Sequence, residues 1–355
     1  MSVATTNHSV TRVFLPVAIL GVLFSLVLSS SALAMRVYEG PSARKAQLRH
    51  HVKRSAHRTH KRKRAHAAVA ATFNLCAKAG TVTPAGSPGA IPIWGFATGA
   101  CSSATAGVPG PNLAVTAGDT VTMNIANSLD DALHIDIPGI TLNPGSHTIA
   151  PGDTGSVSFT ASSPGTYLYE SDGTAGRQSE VGLSGAFIVR PAVAGRAYDS
   201  ATTVYNTEAF MVLSEIDPNL NATLTTPGAL ASFDMATWKP QYRLINGLAY
   251  PSTGTISSAA GSKVLLRYVN AGSEHISMTV LGADATIVGR DGAFMATPLA
   301  VSAETIPEGG TADEIVTVPA GSASGTKIAI YDRNLNLVNG SAAGIGGRLR
   351  FIQVP

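Results

Sequence analysis

The chain has 355 residues, among them 36 Gly and 20 Pro, with 45% hydrophobic and only 13% charged residues. This is the turn-rich, low-charge make-up of β-sandwich proteins outside the cytosol. The formal charge of +3 hides two opposed parts: between Arg36 and Arg64 eleven Lys/Arg face Glu39 alone, whereas from Ala67 onward thirteen bases face twenty-one acids. So acidic a body argues against nucleic acid as a partner, and the length leaves room for two domains with sizeable cores.

Residues 1–34 read as a secretory signal peptide or an N-terminal anchor. Arg12 precedes the apolar run Val13–Leu28, and Ala32-Leu33-Ala34 supplies a small-residue cleavage site. The run is long enough to leave an uncleaved anchor open. The six Lys/Arg between Arg36 and Arg54 work against easy export. The expected location is exported: periplasmic, cell-envelope or secreted, or held at the membrane by the N-terminal segment.

Residues 35–71 form a basic linker carrying His50, His51, His57, His60 and His66. Its charge density keeps it solvated and draws it to anionic envelope polymers or lipids. A metal-scavenging tail is the alternative, because spaced imidazoles bind copper or zinc. The two cysteines, Cys76 and Cys101, are expected to pair as a disulfide in an exported chain, with two separate small core residues as the other reading.

Residues 72–191 read as a first domain. Short strands are expected at Thr72–Ala77, Ile91–Phe96, Leu113–Asn127 (broken by a Gly118-Asp119 turn), Leu133–Ile137 and Val157–Thr160. Two more, Gly165–Tyr169 and Gly182–Val189, flank a polar corner. Turn signals every 8–12 residues and no amphipathic helix mean a β-sandwich. Residues 196–355 read as a second domain. Ala260-Gly261 leading to Val264 and then Asn270 repeats Ala117-Gly118 leading to Val121 and Asn127, an offset of a domain length. Asn246-Gly247 reads as a hairpin turn.

These pieces in order resemble multicopper oxidases, which are built from cupredoxin (plastocyanin-like) domains. In the first domain the matching stretches are Val108-Pro109-Gly110-Pro111, Gly118-Asp119-Thr120-Val121, Asn127-Ser128-Leu129-Asp130, Pro164 to Tyr169 and Gly182 to Ala186. In the second they are Ile245 to Pro251, Leu266 to Gly272 and Gly289-Arg290-Asp291-Gly292. The resemblance covers roughly residues 70–355. It implies an all-β chain of two tandem cupredoxin-like Greek-key β-sandwich domains. It also implies copper as cofactor and oxidoreductase activity, with electrons passing from a single copper to a trinuclear cluster held by His-x-His pairs.

The copper ligands are largely missing. The family's first histidine motif falls on Asp136-Ile137-Pro138-Gly139, its second on Glu170-Ser171-Asp172, and a later Gly-His on Gly282-Ala283. From Ala67 onward only His134, His147 and His275 remain. In the family's geometry Asp136, Glu170 and Asp172 project toward one place, with His134 on the same strand face. That set is a candidate metal site, its oxygens favouring Mn or Ca over Zn. The plainer reading is an acidic corner that is either solvated or paired with Arg177 through Glu170 or Asp172. Tyr167 and Tyr169 are expected to pack in the core, His147 and His275 to lie in exposed loops, and Asp291 to fix a turn.

The function expected from this is an exported multicopper-oxidase-like protein, copper-depleted and acting as an envelope binding or scaffold protein. The alternatives are a copper-dependent oxidoreductase with a reduced or intersubunit site, and a carboxylate-based metal-binding protein. Assembly as a homo-oligomer fits the intersubunit reading.

Overall fold

Alternation of apolar and polar residues in short runs, cut by Gly and Pro, dictates strands with one buried face. The structure, a computed structural model, describes residues 67–144 and 147–355. The expected signal segment, and the basic linker up to His66, lie outside them. The described residues form one compact unit. Among the described residues no helix is long and apolar enough to cross a membrane.

Nine strands come first: β1 (Ala70–Val82), β2 (Ile91–Thr98), β3 (Leu113–Thr116), β4 (Thr120–Asn127), β5 (Leu133–Asp136), β6 (Thr148–Ile149), β7 (Thr154–Thr160), β8 (Gly165–Ser171) and β9 (Ser184–Arg190). They make two sheets, ordered β2-β1-β4-β7 and β3-β9-β8-β5-β6. Eleven follow: β10 (Thr207–Ile216), β11 (Tyr242–Ile245), β12 (Thr255–Ser257), β13 (Lys263–Asn270), β14 (Ile276–Val280), β15 (Asp284–Arg290), β16 (Ala293–Val301), β17 (Glu304–Ile306), β18 (Thr311–Thr317), β19 (Lys327–Asp332) and β20 (Leu349–Gln353). Their sheets run β11-β10-β13-β18-β15-β16 and β12-β20-β19-β14-β17. Two short helices, α1 (Arg177–Glu180) and α2 (Pro218–Ala222), complete the main elements. The fold is all-β, two sandwiches in tandem.

The repeat visible in the sequence is a repeat in space. β4 lies parallel to β1 and antiparallel to β7, and β13 lies parallel to β10 and antiparallel to β18. The Asn that ends each of these strands does the same work. Asn127 Nδ2 donates to the carbonyls of Asp131 and Ile149 while its Oδ1 accepts from Leu129 N–H. Asn270 Nδ2 donates to Glu274 and Ile306 while its Oδ1 accepts from Gly272 N–H. Both carboxamides are buried, so each satisfies carbonyls that would otherwise be lost where the strand leaves the sheet.

Each sandwich has its own core, around Val121, Met123, Ile125 and Phe187 in the first and Leu266, Tyr268, Met278 and Val316 in the second. The connection from β10 to β11 crosses to the first core. There Asp217 caps α2 by accepting from Asn219 N–H, Pro218 takes the first helical position, and Leu220 and Leu230 are buried with the first-core residues. Cys76 and Cys101 form a disulfide with Cα atoms 5.2 Å apart and a sequence separation of 25. A loop of that length contributes about 3.5 kcal/mol in the chain-entropy model.

Strand β8 is shared by the two halves. Tyr167 and Tyr169 point into the first core, as their period-two spacing requires. Leu168 packs the other way, in a cluster with Val212, Val269 and Ala271 of the second sandwich. Thr166, on that same face, donates to Asp313 at 2.5 Å and accepts from the buried Arg267 at 3.0 Å. The next residues on this face are Glu170 and then Asp172, so the fold turns both carboxylates toward the second sandwich.

Candidate functional site

The register of β5 against β8 builds the acidic corner. Ile135 pairs with Ser171 and Asp136 with Glu170, and Asp172 N–H donates to the His134 carbonyl. His134, Asp136, Glu170 and Asp172 therefore share one sheet face, as the sequence predicts. The opposite face carries Ser171, fully buried, whose hydroxyl accepts from His134 N–H and donates to Gln178 Oε1. Gln178 in turn donates to the Ala132 carbonyl, which pins α1 to β5.

The four residues interact as pairs and not as a chelate. His134 Nδ1 meets Asp172 Oδ1 at 2.5 Å, both side chains being nearly half exposed. Among the described residues no three His, Cys, Asp or Glu side chains converge to hold a metal ion. Burial raises the Glu170 pKa; the Ser179 hydroxyl beside it works the other way, and the charges of Asp172, Asp136 and Glu308 raise it further. Arg177 does not neutralise the corner, because it donates to the carbonyls of Thr174 and Phe233.

Behind the corner lies a pocket of about 270 Å³, lined by Glu170, Asp172, Ser179, Glu180, Asn270 and Glu308 among others. Glu180 is buried in it and accepts from Trp238 Nε1 at 3.2 Å and from Ser273 Oγ at 2.9 Å. Its pKa is pushed up to about 7, chiefly by burial, and Glu308 adds to the rise. Sequence reasoning missed Glu180, Glu308, Trp238 and Ser273. They come from four separate segments, and no local motif joins them.

The remaining expected residues fall as follows. His147, expected to be exposed, is half-buried: its Nδ1 is shielded and has no hydrogen-bond partner, and its ring centroid lies 6.2 Å from that of His134. His275 donates nothing through its side chain to the corner, and its carbonyl accepts from Asn334. Asp291 fixes a turn, at φ 48°, by accepting from Thr311 N–H.

Copper does not fit this set of donors. At the two histidine motifs stand Asp136, Pro138, Glu170 and Asp172, three hard oxygen donors and a ring with none. A blue-copper centre needs a thiolate, and both cysteines of the chain are tied in the disulfide.

Comparison with known proteins follows the same lines. A family model for multicopper oxidases matches residues 99–193. No curated protein matches the chain. Among solved structures, the chain is similar to a blue copper oxidase from Nitrosomonas europaea, with TM-score 0.68 and 21% identity over 80% of this chain and 86% of that one. It is similar to the multicopper oxidase mgLAC, with TM-score 0.67 and 19% identity over 81% and 86%. A copper nitrite reductase from Nitrosomonas europaea superposes with TM-score 0.60 and 20% identity over 80% and 94%. The described body thus has the fold of these proteins, two cupredoxin sandwiches in tandem, and the family model matches within the first of them.

Proposed function

We propose that this chain is an exported, copper-depleted member of the multicopper-oxidase-like proteins, acting as a binding or scaffold protein at the cell envelope without copper redox chemistry. The observation that carries the reading is the replacement of the expected imidazoles by Asp136 on β5 and by Glu170 and Asp172 at the end of β8, on one sheet face, with Glu170 and Asp172 lining an acidic pocket. Oxygen donors of that kind hold hard or organic cations and give Cu(I) no soft ligand for redox cycling. The basic segment between Arg36 and Arg64 supports attachment to anionic polymers or lipids.

The test is oxygen uptake by the full-length protein supplied with copper, using phenolic and ferrous substrates. The expected result is no turnover above that of free copper at equal concentration. Turnover that is abolished by Glu170→Ala would overturn the reading.

A further inference from the structure

The acidic pocket is one end of a longer groove. A second cavity of about 290 Å³ shares Leu168, Glu308 and Gly309 with it, and a third of about 490 Å³ shares Tyr167 and Asp291 with the second. The three follow β8 between the sandwiches. Carboxylates recur along the whole run: Asp199, Asp291, Glu308, Glu170, Asp172 and Glu180. Among the described residues no Lys, Arg or His lines any of the three. The nearby bases are already paired: Arg290 with Glu304, the buried Arg267 with Glu208 and Asp313, and His134 with Asp172 of the groove itself.

The two ends differ in chemistry. At the wide end Tyr167, Tyr198 and Phe294 form an aromatic wall, with the Tyr198 and Phe294 rings 5.3 Å apart. Phe294 keeps 41% of its surface exposed at the mouth, an apolar face with nothing over it. The Tyr167 ring packs so closely on Gly292 that a Cβ there would run into it, and its hydroxyl donates to the carbonyls of Ser163 and Gly292. At the narrow end Ser179 is only 7% exposed, and its hydroxyl closes no hydrogen bond of normal geometry although it lies beside Glu170.

We propose that this groove binds a linear organic polycation of the polyamine class. Its methylene segments would lie against the aromatic and apolar wall, and its ammonium groups along the carboxylates, with a terminal ammonium beside Ser179. Spaced charges on a flexible chain match carboxylates strung along a groove, whereas a single metal ion needs donors that converge, and these do not. Aromatic faces add cation–π attraction at the wide end. The wide-end cavity falls in the range of small-molecule sites, and the other two lie just below it. The inference rests on the reading of the chain as a binding protein and names its ligand class.

Calorimetric titration of the full-length protein with spermidine at low salt tests it. Saturable binding is expected, weakened about tenfold by Glu308→Gln and to a similar degree by Phe294→Ala. Asp130→Asn, an exposed acid outside the groove, is expected to leave it unchanged. Absence of saturable binding, or an affinity unaltered in both groove variants, would overturn the proposal. Either result leaves the copper-depleted reading untouched, because that reading is tested separately by copper-dependent turnover and by copper spectroscopy.

Discussion

Arg348→Met is expected to destabilise the body by about 3–5 kcal/mol, the cost of leaving a buried carboxylate without its partner. The Arg348 side chain is wholly buried and contacts Glu215, whose side chain is buried to the same degree. The guanidinium also reaches Glu274 at 3.2 Å and Asp332 at 3.4 Å, and donates to the Ser214 carbonyl at 2.9 Å. Glu274 has a second base in Arg243, bonded through Nε and Nη2. Glu215 and Asp332 have no other ion pair among the described residues. Methionine fills much of the volume and removes the charge, so Glu215 must either stay ionised in an apolar site or take up a proton. Arg348→Lys keeps the charge but loses the planar fork that serves several acceptors at once, and is expected to recover only part of the loss. Denaturant titration monitored by far-UV circular dichroism gives the value. A loss below about 1 kcal/mol would show that Arg348 is not what keeps these buried carboxylates in place.

Glu314→Gln is expected to act in the opposite sense and only at the alkaline end. Glu314 is 1% exposed inside the second core, accepts from the buried Tyr268 hydroxyl at 3.0 Å, and has a shielded Oε1 with no partner. Burial pushes its pKa from 4.5 up to about 7, the Tyr268 hydroxyl works against the rise, and the charge of Glu304 adds to it. Between those two values the native chain holds a proton that the unfolded chain has released. Stability from this group is therefore complete below about pH 4.5 and is lost as pH rises through about 7. The total is on the order of 3 kcal/mol, and Glu180, shifted in the same direction, steepens the slope. The glutamine variant should be more stable than the parent at pH 8 and no more stable at pH 5. Unfolding midpoints at the two pH values decide it, and parallel pH profiles for the two proteins would contradict the account.

Much of this fold was legible in the residues. Ala-Gly followed by an alternating strand ending in Asn occurs twice, and both copies became central strands closed by the same carboxamide bonds. The alternation of Tyr167, Leu168 and Tyr169 correctly put the tyrosines in the core. It also placed Glu170 and Asp172 on one face with His134 and Asp136, because strand period and register alone decide that. What the face looks at was not legible. Glu180, Ser273 and Glu308 are brought to it by contacts between residues up to 128 positions apart, and such long-range docking leaves no local pattern. The same holds for Arg348 and Arg267. No local pattern marks either as internal, yet both are buried among carboxylates of other strands. Arg177 was expected to answer the acidic corner, but the turn at Thr174 and the crossing segment at Phe233 offered it carbonyls instead.

The central claim is that a multicopper-oxidase frame here carries carboxylates where the copper chemistry would sit. Electron paramagnetic resonance and visible absorption of the full-length protein, after copper is supplied and loosely held metal is removed, test it most directly. The account predicts no blue-copper absorption and no copper signal altered by Asp136→Ala, Glu170→Ala or Asp172→Ala. Stoichiometric copper with a blue band, or a copper signal that changes in any of those variants, would contradict it.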